Sequence, residues 1–144
     1  RTLRVVLFIN EENGNDGGET YAEYVRENNI KHLAAIESDA GGLVPRGFRI
    51  EGPDDKYEMF RTWEELFEPY NIHVFRRGYS GVDIRPLKND SISLFGLAPD
   101  SQRYFDYHHS ARDVFENVNQ RELELGAGTV SALVYLVDKY FVME

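Results

Sequence analysis

Three short stretches hold the side chains best suited to chemistry. Glu11 and Glu12 are adjacent in a polar, glycine-rich run from Asn10 to Gly18. Asp39 stands in Glu37-Ser38-Asp39-Ala40-Gly41, and His108 and His109 stand in Tyr107-His108-His109-Ser110-Ala111-Arg112-Asp113. The first two follow apolar runs that read as strands, where the loops of an open parallel sheet collect functional groups. If those strands are neighbours, Glu12 and Asp39 approach each other. Carboxylates at one sheet edge repel unless a cation lies between them or one is protonated. A divalent metal answers that repulsion; a solvated turn is the plainer reading of the Glu-Glu pair. In extended backbone adjacent side chains point opposite ways. One glutamate can then hold a metal while the other takes a proton from the metal's water, whose pKa the metal lowers to about 7. An imidazole from His108 or His109 would suit zinc, whereas oxygen ligands alone would suit magnesium or calcium. His32 and His73 fall at strand starts, the wrong end, and read as structural.

These stretches need a scaffold. Leu3–Ile9 is a near-continuous apolar, β-branched run, the pattern of a strand covered on both faces. Asn15 or Asp16 can cap a following helix, with Tyr21, Tyr24, Val25 and Asn28 at helical spacing. Leu33–Ile36 reads as a second buried strand, and strand–helix–strand predicts a parallel βαβ unit. Phe48–Ile50, Ile72–Phe75 and Ile92–Leu97 are further strand candidates. Pro53 suits the start of a helix carrying Met59, Phe60, Trp63, Leu66 and Phe67, which Pro69 stops. Leu123, Ala127, Val130, Val134, Val137 and Phe141 form a helical stripe expected to face a sheet. The class is α/β with a mostly parallel sheet flanked by helices.

With 25 acidic against 16 basic residues, the 144-residue chain carries a net charge of −9. That sign repels phosphate backbones and argues against nucleic-acid binding. The absence of cysteine excludes disulfides, thiolate zinc sites and a cysteine nucleophile. The longest apolar run, Val5–Ile9, is too short to span a bilayer. A strand beginning almost at Arg1, with no initiator methionine, suggests a piece of a longer polypeptide.

The Asn10–Gly14, Glu37–Gly41 and Tyr107–Asp113 motifs, in this order, resemble those of the M28 zinc peptidases, which are co-catalytic dizinc aminopeptidases and dipeptidases. The likeness is to the carboxypeptidase Q-like branch, which also has a Tyr-His-His segment and a Gly-rich stretch ending in Asp-Ile-x-Pro-Leu, here Gly78 to Leu87. It runs from about Leu3 to Tyr140. The resemblance implies Glu11 as general base, Glu12 and His109 as ligands of one zinc, and Asp39 as ligand of the other. His109 rather than His108 is indicated because the family's ligand stands four residues before an aspartate, as His109 does before Asp113. Asp83 is assigned a structural role. Val114 stands where the family commonly has threonine, a change at a helix-capping position.

The family's remaining ligands, in a His-x-Asp strand and a bridging aspartate, precede the Glu-Glu strand and are absent from this chain. The resemblance therefore implies that residues 1–144 are the C-terminal part of one catalytic domain with a zinc-exopeptidase fold, incomplete on its N-terminal side. The full-length protein would hold two zinc ions and cleave peptides or dipeptides, while the fragment alone would bind zinc weakly, lack activity and be open to self-association. Two alternatives sit beside this: a single-zinc glutaminyl cyclase-like enzyme, and a non-catalytic peptidase-like binding domain. Family analogy implies a secreted or periplasmic location.

Overall fold

The computed structural model describes residues 1–141. Four strands form one mixed sheet: β1 (Ala34–Glu37), β2 (Pro45–Glu51), β3 (Val74–Arg77) and β4 (Ser93–Pro99), in the order β1-β4-β2-β3. β1 pairs parallel with β4 and β2 parallel with β3, while β2 and β4 are antiparallel. The carboxyl ends of β1 and β4 thus lie at one end of the sheet, and those of β2 and β3 at the other. That arrangement brings Asp39, just after β1, to the same end as the segment following β4.

Strand side chains alternate between faces, and each face has its own cover. Phe48, Ile50, Phe75 and Phe95 pack against α2 (Asp54–Arg61), α3 (Glu64–Phe67) and the long final helix, which here is the last of five. Phe60, Trp63, Phe67, Leu133 and Leu136 complete that core. Leu94 and Ala35 face the other way, onto Ala22 of α1 (Asp16–Glu27) and onto Ile84, Leu87 and Ile92 of the loop before β4. No helix among the described residues is long and apolar enough to cross a membrane.

Several expectations are corrected. Leu3–Ile9 forms no ladder among the described residues. Leu3, Val5, Leu7 and Ile9 are 69–88% exposed, whereas Phe8 packs edge-on against Tyr21 at 5.9 Å. Apolar, β-branched composition suits a strand, but a strand exists only through a partner's hydrogen bonds, and among the described residues β1 pairs with β4 alone. The parallel βαβ unit expected at the start is therefore not formed. The Met59–Phe67 helix is broken into α2 and α3, followed by a 3₁₀ turn, Glu68–Tyr70, that contains Pro69. The third strand lies two residues later than Ile72–Phe75.

Before the final helix comes α4 (Tyr104–Tyr107). The final helix itself, α5 (Gln120–Tyr140), buries Gly126, Thr129, Leu133 and Leu136, while Leu123 and Ala127 are exposed. The stripe is rotated relative to the apolar pattern because a polar residue can join a buried face when its own hydrogen bond is satisfied. Thr129 Oγ1 donates to the Leu125 carbonyl at 2.8 Å.

Gly96 has a positional reason. It lies on the Leu94 face, and the loop after β3 crosses that face so closely that a Cβ there would overlap the Ser80 carbonyl oxygen. Substituting Gly96→Ala forces backbone apart and should cost about 1–3 kcal/mol of stability, the range for overpacking. Chemical denaturation of the full-length protein checks this; an unchanged midpoint would contradict it.

Candidate metal centre

Each candidate side chain reaches the site on a different element. Glu11 and Glu12 occupy a 3₁₀ turn, Glu11–Asn13, not the extended backbone expected from sequence. The turn is bounded by Asn10 and Gly14, both with positive φ (63° and 133°), conformations that asparagine and glycine tolerate. The Asn15 N–H closes it by donating to the Asn10 carbonyl at 3.0 Å and the Glu11 carbonyl at 3.2 Å. The turn, not a pleat, thus sets the two side chains, and both line the same cavity.

His109 follows α4, in a left-handed conformation with φ 52°. Ser110 Oγ donates to the Tyr107 carbonyl at 2.7 Å, and the Asp113 N–H donates to the Ser110 carbonyl at 3.0 Å, tightening the loop. His108 stacks on Tyr104 with ring centroids 4.6 Å apart, and His109 stacks on His108 at 3.9 Å. His109 Nε2 lies 3.3 Å from Glu12 Oε1, joining residues 97 positions apart.

One cavity of about 370 Å³ contains Glu11, Glu12, Asp39, His108 and His109 in its lining. Its walls add Leu43, Tyr104 and Val118, which no motif contained, beside Tyr107, Arg112 and Val114, which the histidine motif and its flank already held. Only the tertiary arrangement brings Leu43, Tyr104 and Val118 to the cavity, since they lie outside the motifs. A larger cavity of about 560 Å³ lies on the other side of the loop after β3, but there Arg77 pairs with Asp54 and Lys88 with Glu51.

The cavity is acidic, and its titrations follow from that. Partial desolvation, then the Glu12, Asp39 and Asp83 carboxylates, push the Glu11 carboxyl above its ordinary value, with His109 opposing. Tyr104 is also pushed up, by desolvation and then by Asp39, Glu12 and Asp113. A raised carboxyl is a stronger base, which suits proton transfer. Beside the cavity, Glu37 is a buried acid that the motif reading treated only as the strand end. Its carboxylate accepts from the N–H groups of Val82, Asp83 and Ile84, each at 3.0 Å. Gly81, with φ 148°, lets this loop pass: a Cβ there would overlap the Glu37 carboxylate. Burial nevertheless leaves the Glu37 carboxyl raised.

The donor set fits zinc in part. Glu12 and His109 already stand together as carboxylate and imidazole, the ligand types zinc prefers. Asp39 lines the same cavity, yet no three His, Asp or Glu side chains among the described residues converge tightly enough to hold an ion.

Comparison with known proteins accords with this geometry. The chain is 28% identical over 137 residues to carboxypeptidase Q of Bos taurus and 30% identical over 138 residues to carboxypeptidase Q of Mus musculus. Each alignment covers 95% of this chain but 29% of the relative, so the chain spans less than a third of their length. The crystal structure of a peptidase M28 precursor from Shewanella amazonensis superposes with a TM-score of 0.84 at 27% identity, over 96% of this chain and 31% of that one. The model of peptidase family M28 matches residues 1–134, and the chain belongs to that family.

Proposed function

We propose that this chain is the C-terminal part of the catalytic domain of a zinc-dependent exopeptidase, acting on peptides or dipeptides. The observation that carries the reading is the contact of His109 with Glu12 in a cavity shared with Glu11 and Asp39. Glu12 and His109 would hold one zinc ion and Asp39 the other, with further ligands from the remainder of the protein. Bound there, zinc polarises the scissile carbonyl and acidifies water. Glu11, beside Glu12 in the lining of the cavity, would remove the water's proton and return it to the leaving amine. Its carboxyl, raised by desolvation and by Glu12, Asp39 and Asp83, is the stronger base for that exchange. Tyr104, Tyr107, Leu43, Val114 and Val118 enclose the substrate side chain and limit water. An exported location, and self-association of the isolated chain through the exposed Leu3, Val5, Leu7 and Ile9 row, belong to the same proposal.

Zinc titration calorimetry tests it on both forms. The full-length protein should bind two zinc ions tightly and lose dipeptide hydrolysis on chelation, recovering it with zinc. The isolated chain should bind zinc no better than about micromolar, because neither ion finds a full ligand set. Tight binding of two ions by the chain alone, or chelator-resistant hydrolysis by the whole protein, contradicts the proposal.

A further inference from the structure

Glu37 is 8% exposed and ends β1, two residues before Asp39. The ladder fixes its backbone, which pairs with Gly96 of β4. Its side chain leaves the sheet for the loop after β3. Oε1 accepts from the Val82 N–H, and Oε2 accepts from the Asp83 and Ile84 N–H groups, each at 3.0 Å. Three consecutive donors on one carboxylate form a clamp, since hydrogen bonds to a charged acceptor are the stronger kind and these fix the loop's height and direction together.

The loop passes this hold to the turn that carries Glu11 and Glu12. Val82, gripped through its N–H, accepts at its carbonyl from Asn15 Nδ2 at 3.3 Å. The Asn15 backbone N–H in turn closes the turn onto the Asn10 and Glu11 carbonyls. The Asn15 side chain makes no capping hydrogen bond to α1, so its amide is committed to the loop. The first turn of α1 rests on the same loop backbone: a Cβ built on Gly18 would lie 2.7 Å from the Asp83 carbonyl oxygen and 3.1 Å from Asp83 Cα. Nearer β3 the loop has a separate anchor, Glu51 Oε1, which accepts from the Ser80 N–H at 3.1 Å and Oγ at 3.3 Å.

We propose that Glu37 is a positioning residue: by gripping residues 82–84 it sets, through Asn15, where the Glu11–Glu12 turn stands relative to Asp39. One strand end thereby references both acidic segments, Asp39 through the backbone and the turn through the clamped loop. Reacting groups tolerate little error, and a misplacement of about 1 Å can cost roughly 10²-fold in rate. That Glu37 couples loop and turn stands on these hydrogen bonds; that the coupling serves catalysis rests on the peptidase reading.

Glu37→Gln in the full-length protein tests the clamp. The amide keeps the shape but has one acceptor oxygen in place of two, and either way round its NH₂ meets at least one loop N–H. With zinc saturating, kcat should fall about tenfold or more while KM stays within about threefold. Asn15→Gly breaks the next link; glycine suits φ 59° and keeps the backbone N–H that closes the turn. It should lower kcat similarly, and the double variant should lose less than the product of the single losses, because both cut one chain of contacts. Phe60→Leu, in the aromatic core, controls for lost stability and should keep kcat within about threefold. A Glu37→Gln loss below about threefold, a loss matched by Phe60→Leu, or fully multiplicative losses overturn the proposal. Should Glu37→Gln fail to fold, Asn15→Gly carries the same kinetic criterion. Amide hydrogen exchange reads the linkage without any activity. Glu37→Gln should speed exchange about tenfold or more at Asn15 as well as at Val82, Asp83 and Ile84, with β4 little changed. Unaltered protection at Asn15 refutes the linkage. If the full-length protein hydrolyses no peptide, the functional reading fails, while exchange still decides whether Glu37 holds the turn.

Discussion

Replacing Glu11 by glutamine in the full-length protein lowers kcat by roughly 10²–10⁴-fold, the span attributable to a positioned general base, and leaves KM and bound zinc nearly unchanged. Glutamine keeps the shape and hydrogen-bonding reach of the side chain but cannot accept the water's proton at neutral pH. The Glu11 carboxyl is already raised by partial desolvation and by Glu12, Asp39 and Asp83, so its loss also removes like-charge repulsion from the cavity. The metal-free variant should accordingly melt no lower than the metal-free wild type. Glu12→Gln differs in kind: it removes the carboxylate that meets His109 at 3.3 Å, and should lower zinc content along with activity. Steady-state kinetics with metal analysis on both variants checks the division of labour. A Glu11→Gln enzyme retaining activity within about threefold would remove Glu11 from the role.

Phe60→Ala destabilises the protein by about 3–5 kcal/mol, the cost of truncating a buried phenylalanine. Phe60 has no exposed surface and sits at the meeting point of three other rings: Phe95 at 4.8 Å, Trp63 at 5.1 Å and Phe141 at 5.3 Å. These belong to β4, the α2–α3 junction and the end of α5, so a void there loosens three elements at once. All three contacts are edge-on, an arrangement that adds to area burial. Set against a total stability of about 5–15 kcal/mol, such a loss threatens folding outright. Phe60→Leu refills most of the volume and should cost much less. Urea or thermal unfolding of the two variants measures the gap, and a Phe60→Ala loss under about 1 kcal/mol would show that the core collapses to fill the space.

The two predictions separate what the chain discloses locally from what it does not. Glu11, Glu12, Asp39 and His109 were legible because each lies in a short polar motif beside an apolar element. The rule that loops at the carboxyl ends of strands carry function pointed to Asp39, and to Glu11 and Glu12 only through a Leu3–Ile9 strand that does not form among the described residues. The sheet justifies that rule in a specific way: β1 and β4 run parallel and adjacent, so Asp39 and the Tyr107–Asp113 segment emerge at the same end. β2 and β3 end at the other. The Phe60 ring cluster was not legible as a cluster. Helical spacing marks Phe60 and Trp63 as apolar, but nothing in their spacing says that Phe95 and Phe141 will close on them.

Leu3–Ile9 marks the limit of composition. Its residues suit a strand in every local respect, yet hydrogen-bond partners are not encoded in the segment that needs them, and among the described residues it is unpaired, with Leu3, Val5, Leu7 and Ile9 exposed. The α5 stripe fails more mildly. Hydrophobicity alone cannot anticipate that Thr129, satisfied on the helix backbone, is buried while Leu123 and Ala127 are exposed, although Val130, Val137 and Phe141 do pack on the core.

By itself the sequence determined the α/β class, the places of most elements and the residue types available for metal and proton chemistry, because propensity, periodicity and motif are local properties. Tertiary structure alone decided that His109 meets Glu12 and that Glu37 is caught by three loop N–H groups. Those contacts join residues tens of positions apart. They depend on strand order and close backbone approach, which no short window of sequence contains.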